Sequence, residues 1–242
     1  MQQKIRGIVL RTVKVGDTSM VADLFTEQHG RMSFVVHISA SGRRGSSGAA
    51  FWRPLNMVEF DTDLHGQGRL PHARSVRIFH NYATLPYQPD KQMIAMFLAE
   101  FLARVLQGQQ ADTPLYDYLV HSLQWLDTAS GDVANFHLVF LIRLSQFVGI
   151  WPNLDDSGEG RYFDLRTGSY TAAQPLHSDF LLPDDAQRLP LLQRMNYPTM
   201  HLFRLSRQQR QRILRTLTDY YRLHLPLFGP LHSLEVLSAV LD

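Results

Sequence analysis

The sequence predicts a multi-domain α+β protein, with a five-stranded barrel at residues 1–80 and a mainly α-helical domain at residues 81–242. A change of period supports this division. Apolar residues alternate in short runs through the first eighty residues, as in strands, and from about residue 80 they recur every three or four residues, as in helices. A chain of 242 residues that is 45% hydrophobic and 19% charged can bury a core in each domain, which excludes wholesale disorder.

The first domain contains five runs of strand type separated by turn residues. The runs cover residues 5–13, 20–26, 32–38, 55–64 and 73–79, and a basic Gly/Ser stretch at residues 41–48 separates the third from the fourth. Five short strands at near-regular spacing are typical of a small barrel. A five-stranded, partly open barrel of this size is the oligonucleotide-binding (OB) fold, which binds single strands through a positive groove and stacking aromatic rings.

Basic residues concentrate in this first domain. Residues 1–80 carry eleven Lys/Arg against six Asp/Glu, a net of +5, whereas residues 81–242 carry thirteen against sixteen, a net of −3. Of the 24 basic residues 21 are arginines, whose planar fork suits phosphate contact and stacking on bases. Two simpler alternatives to phosphate contact explain the same pattern, namely an arginine-rich genome and a charged face that is only solvated. We expect Phe51 and Trp52 to lie in the barrel core, or to plug the barrel, rather than to form a platform on which bases stack.

The second domain begins after a linker at residues 82–89, with Asp90 as the predicted N-cap of its first helix. Apolar spacing predicts helices over residues 91–106, 115–126 and 135–148, with Gly108 ending the first. The third is apolar nearly all round, which predicts the central helix of a bundle. A small hairpin formed by residues 161–165 and 169–171 interrupts the helical region within residues 151–180.

A basic helix closes the second domain, and a capping box formed by Ser206 and Gln209 begins it. Three of its arginines share one side: Arg212, Arg215 and Arg222. A solvated helix face is the simpler interpretation of this pattern. The functional interpretation is a docking surface for an acidic partner or for DNA.

Several classes of chemistry lack the residues that they need. The absence of cysteine excludes disulfides, thiolate nucleophiles and cysteine-based zinc or iron–sulfur sites. No Gly-Lys dipeptide occurs, so there is no P-loop, and the glycine pairs at 66–68 and 158–160 lack the third glycine of a dinucleotide fingerprint. Histidine pairs such as His65 with His72, or His177 with His201, have no supporting ligand pattern. We therefore expect a protein that is not an enzyme and that holds no metal or cofactor.

The sequence also predicts a cytoplasmic location. No apolar stretch of a secretion signal follows the first residues, and the longest strictly apolar run of the helical part covers only residues 138–142. A membrane span needs roughly 20 apolar residues.

Short motifs in both halves of the chain closely resemble the RecO family of bacterial DNA repair and recombination proteins. In the first half they are Ile8-Val-Leu10, Gly16-Asp17, Leu24-Phe-Thr26, His29-Gly-Arg31 and, after the basic Gly/Ser stretch, Phe51-x-x-Pro54-Leu55. In the second half they are Gly149-Ile-Trp-Pro-Asn-Leu154, Tyr162-Phe-Asp164 with Gly168, Tyr221-x-x-His224-Leu225 and Leu231-x-Ser233-Leu234. Each motif is short, and their shared order and spacing carry the resemblance.

The resemblance implies a non-enzymatic recombination mediator, cytoplasmic and associated with the nucleoid. Such a protein binds single- and double-stranded DNA, anneals complementary strands and works with RecR to load RecA onto DNA coated by single-strand-binding protein. It implies nucleic-acid contacts at the basic positions of the barrel, first Arg11, Lys14, Arg31, Arg43 and Arg44, and then Arg6, Arg53, Arg69 and Arg74. Many relatives hold a four-cysteine zinc site where this chain has the cysteine-free hairpin, so we expect Tyr162, Phe163 and Tyr170 to hold the hairpin by packing.

The resemblance also implies that the helical domain receives the acidic C-terminal tail of single-strand-binding protein, which ends in Phe. The side of the last helix with Arg212, Arg215 and Arg222, next to Ile213, Leu217 and Tyr221, is the candidate surface. Two other classes of function stay open at this point. A protein-interaction scaffold with an OB-like barrel would not retard an oligonucleotide, and a hydrolase would turn over generic ester or phosphate substrates.

Overall fold

The computed structural model of the protein describes residues 2–38, 48–64, 69–234 and 237. Within this part of the chain five strands close into a barrel in the order β1-β2-β3-β5-β4, with β4 pairing back onto β1. The strands are β1 (Gln2–Lys14), β2 (Ser19–Thr26), β3 (Gly30–His37), β4 (Met57–Asp63) and β5 (His72–His80). The predicted five-stranded barrel is therefore confirmed. It is closed rather than partly open, because a short parallel ladder pairs β3 with β5 at Val35–His72 and Val36–Ala73.

Alternate side chains of the strands fill the barrel. Ile5 and Val9 of β1 pack with Phe34, Phe60 and Trp52 in one buried cluster. Trp52 lies on a short 3-10 turn, Ala49–Trp52, and is only 1% exposed. Its ring lies 5.9 Å from that of Phe60, between centroids, so Trp52 belongs to the core of the barrel, as predicted.

The outer face of β1 is buried in the middle and exposed at both ends. Ile8 and Leu10 are buried although they lie outside the barrel cluster, and helix α1 (Pro89–Val105) packs against this strand. The pairing of β1 with β2 shifts between Val9 and Arg11, as in a β-bulge. This shift changes the phase of the alternation, so that Arg11, like Arg6, lies on the exposed outer surface.

The three helices that apolar spacing predicts and the capped basic helix are confirmed, with one correction at the first. The described helices are α1, α2 (Thr113–Thr128), α3 (Phe136–Phe147), α4 (Pro183–Ala186), α5 (Leu189–Arg194) and α6 (Arg207–His224). The two short helices, α4 and α5, were not predicted. The N-cap of α1 is Gln88, and not Asp90 as predicted. Pro89 explains the difference, because its fixed φ suits the first helical position and its missing N–H is not needed there.

The segment predicted as a linker is held on both sides. The Tyr82 hydroxyl donates to the main-chain carbonyl of Leu55 in the barrel at 2.7 Å. The Asp127 carboxylate, near the end of α2, accepts the main-chain N–H groups of Ala83, Thr84 and Leu85 at 2.8–2.9 Å. These bonds tie the linker to the barrel and to α2.

The chain divides into two compact units. One comprises Met1–Thr128 with Leu231–Leu234, and the other Ala129–Pro230 with Glu235–Asp242. Helices α1 and α2 thus belong to the same unit as the barrel, whereas the change of sequence period at residue 80 divides the chain before them.

The second unit contains the predicted central helix and hairpin. Helix α3 is buried along nearly its whole length, and the Tyr221 hydroxyl of α6 donates to its Leu141 carbonyl at 2.8 Å. The capping box of α6 is confirmed: Gln209 N donates to Ser206 Oγ at 3.2 Å, and Ser206 N donates to Gln209 Oε1 at 2.7 Å. No helix among the described residues has the length and hydropathy to cross a membrane.

A third strand extends the predicted hairpin to a small sheet in the order β7-β6-β8. Its strands are β6 (Tyr162–Asp164), β7 (Ser169–Thr171) and β8 (Phe180–Leu181). The rings of Phe163 and Tyr170 meet edge to face at 5.0 Å, and those of Tyr162 and Phe180 at 5.7 Å. Aromatic packing therefore holds the sheet together, as expected. Strand β8 has two residues and α4 only four, too few for a period to be read from sequence.

Candidate nucleic-acid interface

Two buried carboxylates organise the basic side chains on the outside of the barrel. Glu59 of β4 collects cations from β1 and β5, and Asp23 of β2 collects them from β1 and β3. We call the first group, Lys4, Arg6, Glu59 and Arg77, the Glu59 cluster. The second group, Arg11, Asp23, Arg31 and Ser33, is the Asp23 cluster.

In the Glu59 cluster a carboxylate that is 4% exposed meets three cations that are each more than half exposed. Arg6 Nε donates to Glu59 Oε2 at 2.8 Å, Arg77 Nε donates to Oε1 at 2.8 Å, and Lys4 Nζ lies 3.7 Å from Oε1. The bond from Arg6 is the largest influence on the pKa of Glu59, and with Arg77 it outweighs burial and holds that pKa below its usual value. Glu59 is therefore an anion at neutral pH.

In the Asp23 cluster one of the two cations is enclosed, because Arg31 is 13% exposed whereas Arg11 is 57% exposed. Arg11 Nε donates to Asp23 Oδ2 at 2.6 Å, Arg31 Nη2 at 3.1 Å, and Ser33 Oγ donates to Oδ1 at 2.5 Å. Burial alone would raise the pKa of Asp23, but these three bonds together lower it. The carboxylate therefore stays charged and satisfied inside the cluster.

Arg31 acts mainly inside the protein. Its side chain is 13% exposed, and Nη1 donates to the main-chain carbonyl of Ala103 at 2.7 Å. The arginine thus joins β3 to the last turns of α1, which leaves little of its surface for a ligand. This enclosure argues against the prediction that Arg31 contacts nucleic acid.

The other predicted barrel residues differ in their surroundings. Arg6 and Arg11 are half exposed and ion-paired. Four more are exposed and make no ion pair within the described part of the chain: Lys14, Arg53, Arg69 and Arg74. Arg43 and Arg44 lie outside the described residues.

Sequence reasoning missed two members of the Glu59 cluster, Lys4 and Arg77. Strand alternation indicates both of them, because Lys4 and Arg6 flank the buried Ile5, and Arg77 precedes Ile78 of the barrel interior. Phe79, two residues beyond Arg77, has its ring centroid 5.4 Å from the Arg6 guanidinium carbon. What the sequence does not show is that Glu59 of β4 pairs with cations from both neighbouring strands, β1 and β5.

The predicted partner surface on α6 is charged but not apolar. Arg212 Nη1 pairs with Asp185 Oδ1 at 2.9 Å and Arg222 Nη2 with Asp219 Oδ1 at 2.7 Å, and Arg215 is exposed. The expected apolar companions are all buried in the second unit: Ile213, Leu217 and Tyr221. Of the six residues predicted for this surface, the arginines are therefore the ones exposed to a partner.

The small sheet of the second unit does not fit a four-thiolate zinc site, because the chain has no cysteine. His177 Nε2 lies 3.4 Å from Asp164 Oδ2, and Arg166 Nε donates to Asp179 Oδ2 at 2.7 Å. In the described ranges no three His, Asp or Glu side chains converge as metal ligands. The ion pair of Arg166 with Asp179, the contact of His177 with Asp164 and the aromatic contacts hold the sheet.

Comparison with known proteins places both halves of the chain in one family. Residues 1–82 match the model of "Recombination protein O N terminal", and residues 86–235 that of "Recombination protein O C terminal". Among its relatives, a DNA repair protein RecO from Phocaeicola vulgatus is 46% identical over 98% of both chains. Those from Bacteroides fragilis and Porphyromonas gingivalis are 45% and 36% identical, over 100% and 98% of both chains. The chain therefore belongs to the RecO family and has a role in DNA repair and recombination.

Proposed function

We propose that this protein is a non-enzymatic recombination mediator that binds single- and double-stranded DNA in the cytoplasm, at the nucleoid. It anneals complementary strands and acts with RecR to load RecA onto DNA covered by single-strand-binding protein. The observation that carries the proposal is the outer surface of the barrel, where exposed cations outnumber the carboxylates that hold them. Such a surface binds phosphates without reading sequence, which is what annealing of any two complementary strands requires.

Annealing by this protein needs no nucleotide hydrolysis. Two DNA strands repel each other through their phosphates, and a basic surface that neutralises both lets them pair. The chain has no P-loop to bind ATP.

A strand-annealing assay tests this proposal. Two complementary labelled oligonucleotides are mixed with the full chain without ATP or magnesium, and duplex formation is followed with time at increasing salt. We expect faster pairing than without protein, and a loss of the acceleration as salt rises. An absolute requirement for ATP, or failure to retard either strand in a gel, contradicts the proposal, and the second result favours a protein-interaction scaffold.

The mediator step has its own test. RecA filament assembly is followed on single-stranded DNA that is already covered by single-strand-binding protein. Assembly should be slow with RecA alone and should accelerate only when this protein and RecR are both present. Equal acceleration without RecR would contradict the proposed role of RecR in loading RecA.

Arg43 and Arg44 form part of the proposed DNA contact on sequence grounds. The two adjacent arginines lie in the polar Gly/Ser stretch at residues 41–48, where no predicted core neighbour would bury them. Replacing both by alanine should weaken binding to all single-stranded sequences alike, because phosphate contacts carry no base information. The slope of log affinity against log salt should fall in magnitude by about 1.4 for two lost contacts. Unchanged affinity and slope would mean that the phosphate contact lies on the strands of the barrel instead of at Arg43 and Arg44.

We also propose that the arginine face of α6 receives the acidic tail of single-strand-binding protein. Because Ile213, Leu217 and Tyr221 are buried, the attraction there is electrostatic and should decline with salt. Replacing Arg212, Arg215 and Arg222 by alanine should weaken binding of the tail peptide in isothermal titration while leaving the affinity for naked DNA. Equal peptide binding by the triple variant would place the tail elsewhere.

A further inference from the structure

We propose that the Glu59 cluster is a phosphate-binding site for the backbone of single-stranded DNA on the outer face of β1, β4 and β5. The inference rests on the proposed DNA-binding function and names the surface that carries it. It places the contact partly on Lys4 and Arg77, which the sequence does not single out.

The cluster lies in an ordered row across three strands. Glu59 of β4 is the direct ladder partner of Arg6 on β1 and of Arg77 on β5. The next outward row repeats the pattern, since Asp61 of β4 is opposite Lys4 on β1 and Arg74 on β5. Each of these two acids on the central strand therefore has a cation on both sides, and the cations form two lines along the outer strands.

The cations exceed what the carboxylate needs. A buried carboxylate is compensated by one well-placed cation with additional hydrogen bonds. Glu59 has three cations within 4 Å, so the cluster carries a net charge of +2. Their side chains are 62%, 51% and 64% exposed, for Lys4, Arg6 and Arg77, while Glu59 is 4% exposed. The positive charge thus faces the solvent and the negative charge lies beneath it.

The geometry leaves donors available for a ligand. Glu59 accepts from Nε of Arg6, and the two terminal nitrogens of that guanidinium make no other hydrogen bond within the described ranges. Arg77 uses Nε and Nη2 for Glu59, which leaves Nη1. Ordering a long arginine side chain costs conformational entropy. Because Glu59 already orders both arginines, a phosphate that binds them loses less to this cost.

An aromatic ring lies beside these donors. Phe79 is half-buried, and the Arg6 guanidinium lies over its ring at 5.4 Å. Single strands are bound by basic side chains that follow the backbone and by flat groups on which bases stack, and a guanidinium that lies over an aromatic ring and is half exposed is such a group. This combination favours a nucleic acid over an acidic protein segment.

The Asp23 cluster serves as an internal comparison. There the second arginine, Arg31, is 13% exposed and is bonded to Ala103, so only Arg11 presents charge to the solvent. The same kind of buried acid therefore supports a mainly structural group on one side of the barrel and an outward-facing cationic surface at Glu59.

The test compares charge-matched variants of the full chain. The first is Arg6→Gln with Arg77→Gln. The control is Arg166→Gln with Arg194→Gln, which also removes two exposed arginines, one of them ion-paired to Asp179, from the second unit. Binding of a fluorescent oligothymidylate is measured by anisotropy at several salt concentrations, and folding by circular dichroism and thermal unfolding.

We expect the Arg6/Arg77 variant to bind roughly tenfold more weakly or worse, as for lost hydrogen bonds to charged groups. Its salt slope should fall in magnitude by about 1.4, from roughly 0.7 for each phosphate contact on single strands. The control should keep both values. Changing the two arginines to lysine should retain most of the slope, because the charges remain.

Loss of the arginines leaves Glu59 buried with Lys4 alone, which can destabilise the barrel. A triple variant that adds Glu59→Gln removes that carboxylate and should show the same loss of affinity and slope in a stable fold. A folded double or triple variant with unchanged affinity and slope overturns the inference. So does a variant that keeps DNA binding but loses affinity for polyglutamate, since the site would then serve an acidic protein. If the unaltered protein binds no DNA, the proposed function itself fails, and the inference with it.

Discussion

Lys91 and Asp127 meet in a buried contact, in which the Lys91 ammonium donates to the main-chain carbonyl of Asp127 at 2.9 Å. The side chains belong to α1 and α2, and the residues are 1% and 2% exposed. Lys91 Nζ also donates to Thr84 Oγ1 at 2.7 Å, while the Asp127 carboxylate accepts three main-chain N–H groups from residues 83–85. This contact fixes the chain leaving the barrel against both helices.

Asp127→Asn is expected to destabilise the first unit. The amide keeps the shape but loses the charge and presents an NH2 group to N–H donors, so the free energy of unfolding should fall by about 3 kcal/mol. Urea unfolding measures the change, with Asp117→Asn on the exposed side of α2 as the control. An equal effect of both substitutions would mean that Asp127 has no special role.

Asp127 should also make the stability of the protein depend on pH. Burial alone would raise the pKa of Asp127, but the N–H groups of Ala83, Leu85 and Thr84 outweigh burial and lower it. Its stabilising contribution is therefore complete above the unfolded value near pH 4 and is lost as pH falls through the lower folded value. The difference in stability between the protein and the Asn variant should shrink over that acid range.

Gly30 cannot be replaced without cost. Its φ is +66°, and a Cβ there would lie 2.4 Å from the main-chain carbon of Gln110. Gly30→Ala should lower the free energy of unfolding by about 2–4 kcal/mol through strain and overpacking. Gly108 separates the two causes, because its φ is +76° but, apart from its chain neighbours, no atom of the described residues lies within 4 Å of its Cβ position. Gly108→Ala should cost only about 1 kcal/mol, and equal costs in urea unfolding would argue against a close approach at Gly30.

His137 should make the protein less stable in mild acid. Burial, with a smaller contribution from Arg210, lowers the pKa of His137 to about 3. The unfolded chain takes up this proton below about pH 6.5 and the folded protein does not, so stability is lost as pH falls. Between pH 8 and pH 5 this residue alone should remove about 2 kcal/mol. His137→Gln should flatten that part of the profile and exposed His121→Gln should not, as followed by urea midpoints.

Trp52 tests whether the barrel interior takes part in binding. Trp52→Phe leaves a small cavity in the core and should cost about 1–3 kcal/mol of unfolding free energy, while DNA affinity stays unchanged. A folded variant with much weaker DNA binding would instead support the base-stacking interpretation of this residue.

The barrel could be predicted because its signals are local. Alternation in β1 separates Ile5, Val9 and Val13 from Ile8 and Leu10, and the structure buries Ile5 and Val9 in the barrel and Ile8 and Leu10 outside it. Val13 is 49% exposed, because the register shift between Val9 and Arg11 changes the phase of the alternation. Closure could not be predicted, because it depends on two parallel residue pairs between β3 and β5, far apart in the chain.

The candidate site could be predicted only as a charge excess. Composition shows the basic character of residues 1–80, but not which arginines reach solvent. Arg31 and Arg77 look alike in sequence, yet Arg31 is enclosed by Asp23 and Ala103, whereas Arg77 stands 64% exposed above Glu59. Such differences arise from cross-strand partners and from helix α1, which are distant in sequence.

The salt dependence of single-stranded DNA binding by the full chain tests most directly the claim that the protein binds DNA through its phosphates. Anisotropy of a labelled oligothymidylate is titrated with protein at a series of salt concentrations without ATP or magnesium. We expect saturable binding whose log affinity falls linearly with log salt, with a slope of magnitude about 2 or more for three or more phosphate contacts. Oligonucleotides of unrelated sequence should give the same slope. No binding at low salt, or an affinity that does not change with salt, would contradict that claim.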